Sequence, residues 1–157
     1  MAPLFVLIGA TLLFRLAGRF GVAALSQWRD AARFGLAVMF LFTGATHFSG
    51  MKHDYAAMVP PPLTGQLWVI YLTGALQIAG AIGLTIPRFQ RLAGICLMLL
   101  LLALFPANVY AAANGVRFRG APPTDIWLRA LIQLVFIAAV WWSTVRRPKL
   151  ATSSTMR

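Results

Sequence analysis

The chain has 157 residues, of which 60% are apolar and 11% charged, and it carries a formal net charge of +11. One water-soluble globule of this length has too little interior to hide that much apolar surface, so the composition excludes an ordinary soluble domain and makes the membrane the solvent. A charge this positive would suit nucleic acid, but the basic residues are distributed by loop parity and form no continuous stripe, so nucleic acid is not expected as a partner.

In chain order, the first apolar stretch runs from Pro3 to about Leu25 and is interrupted by Arg15 and Arg19, one helical turn apart on one face. A secretory signal peptide carries its charge before the apolar core and a small-residue cleavage site after it. Here no Lys or Arg precedes the run, which predicts a retained transmembrane helix with its N-terminus outside. Arg15 must then snorkel to the inner headgroups or face the bundle, because an arginine at mid-bilayer costs at least about 2.5 to 3.5 kcal/mol. An amphipathic helix lying in the interface is the alternative for this segment.

Four further spans follow. Residues 65–86 and 92–113 contain no charge, and each is long enough to cross a hydrocarbon core of about 30 Å at about 1.5 Å per residue. Residues 34–50 and 126–144 are shorter or bear one charge near an end, and still suffice. The predicted fold is an all-α membrane protein. An N-terminal helix extension over 1–30, forming a fifth transmembrane helix, precedes a four-helix transmembrane bundle over 31–145, and a basic, disordered cytoplasmic tail over 146–157 follows.

Alternate connections differ in charge. Arg19, Arg29 and Arg33, then Arg88 and Arg91, then Arg146, Arg147, Lys149 and Arg157 fall on one side, against Lys52, Arg117, Arg119 and Arg129 on the other. The positive-inside rule places the C-terminus in the cytoplasm. The tryptophans agree, with Trp28, Trp141 and Trp142 at inner ends and Trp68 and Trp127 at outer ends. The expected location is the bacterial cytoplasmic (inner) membrane, crossed several times. Arg146, Arg147 and Lys149 are also placed to hold anionic headgroups, at about 1 kcal/mol each.

Cys96 is the single cysteine and lies inside a span, so no disulfide or dithiol redox pair forms within one chain. No phosphate loop, nucleophile elbow or internal repeat is present, and no catalytic residue is assigned. What remains is a set of polar residues in or beside the spans. His47, Asn108 and Arg129 share an outer level, Gln77 sits near mid-bilayer, and Gln133 lies one turn below Arg129 on the same face. Together they would form a polar column from the outer side, a candidate ligand pocket.

Each of these residues also has a purely structural explanation. His47 can bond a neighbouring carbonyl or reach headgroup water. Asn108 can repair the break at the Leu102 carbonyl caused by Pro106, and Arg129 can pair with Asp125 four residues earlier. Gln77 needs a partner on another helix or in a cavity, as helix glue or as a ligand contact. Ala75, Ala79 and Gly83 form a small-residue stripe suited to helix packing. His47, His53 and Asp54 lack a recognisable metal-ligand pattern, and bis-histidine haem would need a second intramembrane histidine.

The runs "FLFTGATHF", "DYAAMVPPPL", "YLTGALQIAGAIGLTIP" and "LFPANVYAA", in this order over roughly residues 31–144, resemble the DoxX family of small integral membrane proteins. The resemblance implies a four-helix transmembrane bundle and an association with membrane redox systems, the family being named after a subunit linked to thiosulfate:quinone oxidoreduction. It carries His47, Gln77, Pro106 and Asn108 over as pocket-lining positions. Where such proteins often have a Glu, this chain has Gln77, which weakens proton transfer at mid-bilayer and leaves binding open. The expected function is to bind a lipophilic, quinone-like molecule or to serve as the membrane subunit of a redox complex. The competing expectation is a non-catalytic assembly or stabilising factor that engages other membrane proteins or a second copy of itself. A transporter is disfavoured by the absence of a broken helix pair.

Overall fold

Away from water a backbone must satisfy its own hydrogen bonds, and the apolar runs do so as helices. The computed structural model describes residues 2–122 and 124–145. The basic tail expected over 146–157 lies outside them. The helices are α1 (Ala2–Arg19), α2 (Trp28–Thr46), α3 (Lys52–Met58), α4 (Leu67–Thr85), α5 (Gln90–Ala113) and α6 (Ile126–Val140), the last continuing as a π-helical turn over Trp141–Val145. A single turn of 3-10 helix, Ala23–Leu25, joins α1 to α2. Among the described residues there is no β-strand, only one antiparallel bridge between Phe118 and Ala121.

The protein is an all-α bundle. Among the described residues, four helices are long and apolar enough to cross a membrane: α1, α4, α5, and α6 through Val145. α2 equals α4 in length at 19 residues, but it begins at Trp28 rather than near residue 34. Its extra turns carry Arg29, Asp30 and Arg33, with Asp30 and Arg33 paired at 2.7 Å.

α2 is the central element. Leu36, Met39 and Phe40 are buried almost completely and join Leu84, Leu97 and Val140 from α4, α5 and α6 in one core. α1 lies antiparallel along one side of α2: Gly35 approaches Thr11 so closely that a Cβ would collide with its side chain. Leu7 is buried there while Phe5, Ile8, Leu12 and Leu13 stay exposed, the pattern of a helix packed on one edge with lipid on the other. Arg15 stacks its guanidinium 5.3 Å from the Trp28 ring centroid at the end of the bundle away from His47. This is the interfacial position that a snorkelling arginine seeks.

On the other side of α2, α4 approaches through two glycines. A Cβ on Gly74 would stand 2.6 Å from the His47 Cβ and 3.1 Å from the Gly44 carbonyl oxygen; one on Gly44 would stand 2.9 Å from the Gly74 carbonyl oxygen. Further along α4, Gly80 and Gly83 leave room for Leu97 and Ala93 of α5, and Gly94 of α5 leaves room for Thr144. The small-residue stripe expected at Ala75, Ala79 and Gly83 is therefore only partly a packing surface. Gly83 packs, but Ala75 and Ala79 are exposed, because α4 is rotated so that Gly74, Gln77 and Ala81 face the core.

The two faces of α4 should respond differently to added volume. Gly74→Ala forces a methyl into backbone and His47, and is expected to cost about 1–3 kcal/mol as for other overpacked sites. Ala75→Leu on the exposed face should change stability by less than about 0.5 kcal/mol. Thermal unfolding of both variants in one detergent checks this, and equal losses would refute the assigned rotation of α4.

Candidate functional site

The His47 end of the bundle is hollow. Two adjoining cavities, of about 430 and 240 Å³, lie among α2, α4, α5 and α6, under the connections that contain α3 and Phe118. The start of α1 closes one side, since Pro3 lines both. The smaller cavity is lined by His47, Gln77 and Asn108, the larger by Asn108, Arg129 and Gln133, and the two share Thr43 and Tyr55. All five polar residues singled out from the sequence thus meet at one place. Pro106 does not join them: it is exposed and lines neither cavity.

His47 follows the last residue of α2, where the Gly44–Gly74 approach sets it against the start of α4. Its Nδ1 lies 3.1 Å from the Ile70 carbonyl oxygen and 3.2 Å from Thr73 Oγ1. The Thr73 hydroxyl donates to carbonyls of its own helix. A neutral imidazole that donates from Nδ1 to Ile70 keeps Nε2 as an acceptor. One side of the ring packs on Tyr55, with centroids 4.4 Å apart, and Tyr55 in turn packs on Phe118 at 4.9 Å. The three rings form a roof.

The roof is tied down by short polar links. Thr46 Oγ1 gives its proton to the Thr43 carbonyl at 2.6 Å, so the Tyr55 hydroxyl, 3.0 Å away, is the donor to Thr46 Oγ1. Burial pushes the Tyr55 phenol above its ordinary pKa and the Asp54 carboxylate adds to this; the phenol therefore stays protonated through the physiological range. Asp54 Oδ2 accepts the Arg119 backbone N–H at 3.2 Å, which joins α3 to the second connection. Arg119 has a positive φ of 53° and Gly120 one of 75°, the tight backbone that brings Phe118 back over Tyr55.

Below the roof, Thr43 Oγ1 and Gln77 Oε1 are 2.7 Å apart, a hydrogen bond between α2 and α4. Gln77 is helix glue in this respect, yet it also lines the smaller cavity. Gln133 Nε2 donates to the Leu101 carbonyl at 2.8 Å, bonding α6 to the stretch of α5 just before Pro106.

Arg129 departs from its expected pairing. Asp125 caps α6 instead, its Oδ1 accepting from the N–H groups of Trp127 at 2.8 Å and Leu128 at 3.3 Å. Arg129 Nε donates to the Thr124 carbonyl at 3.1 Å and a terminal nitrogen donates to Asn108 Oδ1 at 3.0 Å. Asn108 likewise does not serve the Leu102 carbonyl: its Nδ2 is 3.4 Å from the Leu104 oxygen, and its stronger bond is to Arg129. Capping wins because the α6 N–H groups lie within reach of the short Asp125 side chain, whereas the long arginine can reach across to α5.

Tyr55, Phe118 and Thr73 were missed in the sequence because they lie in or beside segments read as connections or as ordinary span. The available signal was the apolar set Tyr55, Ala56 and Met58 in the connection between two spans; Ala56 and Met58 are buried. Among the described residues, no three His, Cys, Asp or Glu side chains gather at a metal-binding spacing.

The Thr43–Gln77 bond should be measurable as a coupling. Thr43→Val and Gln77→Leu are each expected to destabilise the bundle, and the double variant to lose less than their sum by about 0.6–2 kcal/mol, as for hydrogen bonds between membrane helices. Strictly additive losses in a double-mutant unfolding cycle would show that the bond contributes nothing.

A family model described as a domain of unknown function (DUF8561) matches residues 36–144. No curated protein and no solved structure matches the chain. The matched segment starts inside α2 and ends in the last turn after α6, so it holds most of α2, all of α3 to α6 and all five polar cavity residues. The chain belongs to the DUF8561 family, with α1 lying ahead of the matched region.

Proposed function

We propose that this protein is a DoxX-like membrane bundle that holds a lipophilic, quinone-like molecule in the paired cavities, alone or as the membrane subunit of a redox complex. The observation that carries this is the convergence of His47, Gln77, Asn108, Arg129 and Gln133 on an otherwise apolar hollow. Ligand sites are characteristically apolar cavities of about 300–1,000 Å³ with a few placed polar groups. The cavity sizes, about 430 and 240 Å³, suit a ring system with part of a tail. The neutral Gln77 weakens proton transfer at this site and leaves binding open.

Lipid extraction and mass spectrometry of the purified protein tests this. Wild type is expected to retain a lipophile that His47→Ala and Gln77→Leu both lose, with the fold of each variant checked by its helical circular dichroism. Retention of nothing, or equal retention by all three proteins, would sink it.

A non-catalytic assembly factor is the second reading, favoured by the exposure of Ala75 and Ala79 on α4, where another membrane protein or a second copy could approach. In that case Ala75→Leu would impair co-purification of a partner and His47→Ala would be silent.

The same reading places the chain in a bacterial inner membrane with the His47 end outside and the C-terminus cytoplasmic, following the positive-inside rule. The bundle brings the start of α1 beside the end of α2, with Pro3 lining the same cavity as His47. In a Cys96→Ala background, cysteines at residues 2, 53 and 120 are therefore expected to react with an impermeant probe from outside, and one at residue 89 from inside. Labelling of residues 2 and 53 from opposite sides would break the arrangement.

A further inference from the structure

The charge inside the larger cavity says what kind of head group it would hold, on the reading that the cavities are a ligand site. The chain has three acidic residues, and all are engaged elsewhere. Asp30 pairs with Arg33 at the far end of α2. Asp54 accepts the Arg119 backbone N–H, and Asp125 caps α6. None of the three lines the larger cavity, whose wall includes both Arg129 and Arg119.

Arg129 is half-buried and its two hydrogen bonds go to neutral partners, the Thr124 carbonyl and the Asn108 amide oxygen. Both orient the guanidinium and neither offsets its charge. Among the described residues its second terminal nitrogen has no hydrogen-bond partner. A partly desolvated guanidinium in a membrane protein is costly unless an anion meets it, and its planar fork fits a carboxylate or phosphate. Deeper in the cavity the wall turns apolar, with Leu101, Leu104, Ile132 and Phe136.

We infer that the larger cavity takes a lipophilic anion, its carboxylate or phosphate head held by Arg129 and its apolar body lying against Leu101, Leu104, Ile132 and Phe136. Asn108 is a positioning residue that fixes the guanidinium. The anion supplies the one charge that the chain itself lacks at this point.

Equilibrium binding to the full chain in phosphatidylcholine nanodiscs, with empty nanodiscs as the blank, tests this with four probes: palmitate, lysophosphatidate, methyl palmitate and decylubiquinone. Palmitate or lysophosphatidate is expected to bind saturably and at least about tenfold tighter than methyl palmitate, in line with a charge-assisted hydrogen bond. The tighter of the two identifies the head as carboxylate or phosphate. Arg129→Gln should bring this preference to about twofold or less, Arg129→Lys, which keeps the charge but not the fork, should keep only part of it, and Arg88→Gln at the opposite end should leave it intact. Equal binding of palmitate and methyl palmitate, or an undiminished preference in a folded Arg129→Gln, overturns the inference. Binding of decylubiquinone alone overturns it too, while leaving the lipophile site standing. Saturable binding of none of the four overturns both.

Discussion

Gly44 and Gly74 let the backbones of α2 and α4 meet more closely than any side chain would allow, and the geometry at the His47 end follows from that approach. A Cβ on Gly74 would stand only 2.6 Å from that of His47; its absence lets the histidine lie along the start of α4, where the Ile70 carbonyl accepts from Nδ1. The same closeness brings Thr43 within 2.7 Å of Gln77. In lipid there is no hydrophobic gain from pressing two apolar helices together, so close packing and interhelical hydrogen bonds are what hold them. Here both act at one crossing. The glycines provide the approach, and the polar pair fixes its register.

The connections close over the two cavities at this end of the bundle. Tyr55 and Phe118 come from two connections far apart in sequence, and they meet because Asp54 holds the Arg119 backbone and because the positive φ values at Arg119 and Gly120 fold that connection tightly. The phenol of Tyr55 remains protonated and bonded to Thr46, so the roof is built from neutral groups. Among the described residues, charge enters from α6 and the second connection, through Arg129 and Arg119. The cavity is thus asymmetric: neutral and hydrogen-bonded on the α2 and α4 side, cationic on the α6 side, apolar toward the middle of the bundle.

α1 stands outside the segment that defines the family, yet it is packed onto α2 through Gly35 and Thr11 and contributes Pro3 to both cavities. It shields one edge of the central helix from lipid and narrows the hollow on the side that α5 and α6 leave open. The arginines that interrupt its sequence fall at the opposite end, where Arg15 finds the Trp28 ring.

The amino-acid sequence alone determined that the chain is helical with segments long and apolar enough to span a membrane, and it marked the polar residues of the cavity. Hydropathy and length are local properties, and a polar side chain in an apolar span is conspicuous wherever its helix is turned. The tertiary structure decided how those helices are rotated and what each polar group touches. Gly74 rather than Ala75 faces α2, Arg129 turns to Asn108 rather than Asp125, Pro106 faces outward, and Tyr55 and Phe118 close the site. The hydropathy of α4 is nearly uniform around its axis, so nothing within the helix chooses a face. The choice is made by the neighbour that fits, and that contact is between residues far apart in the chain.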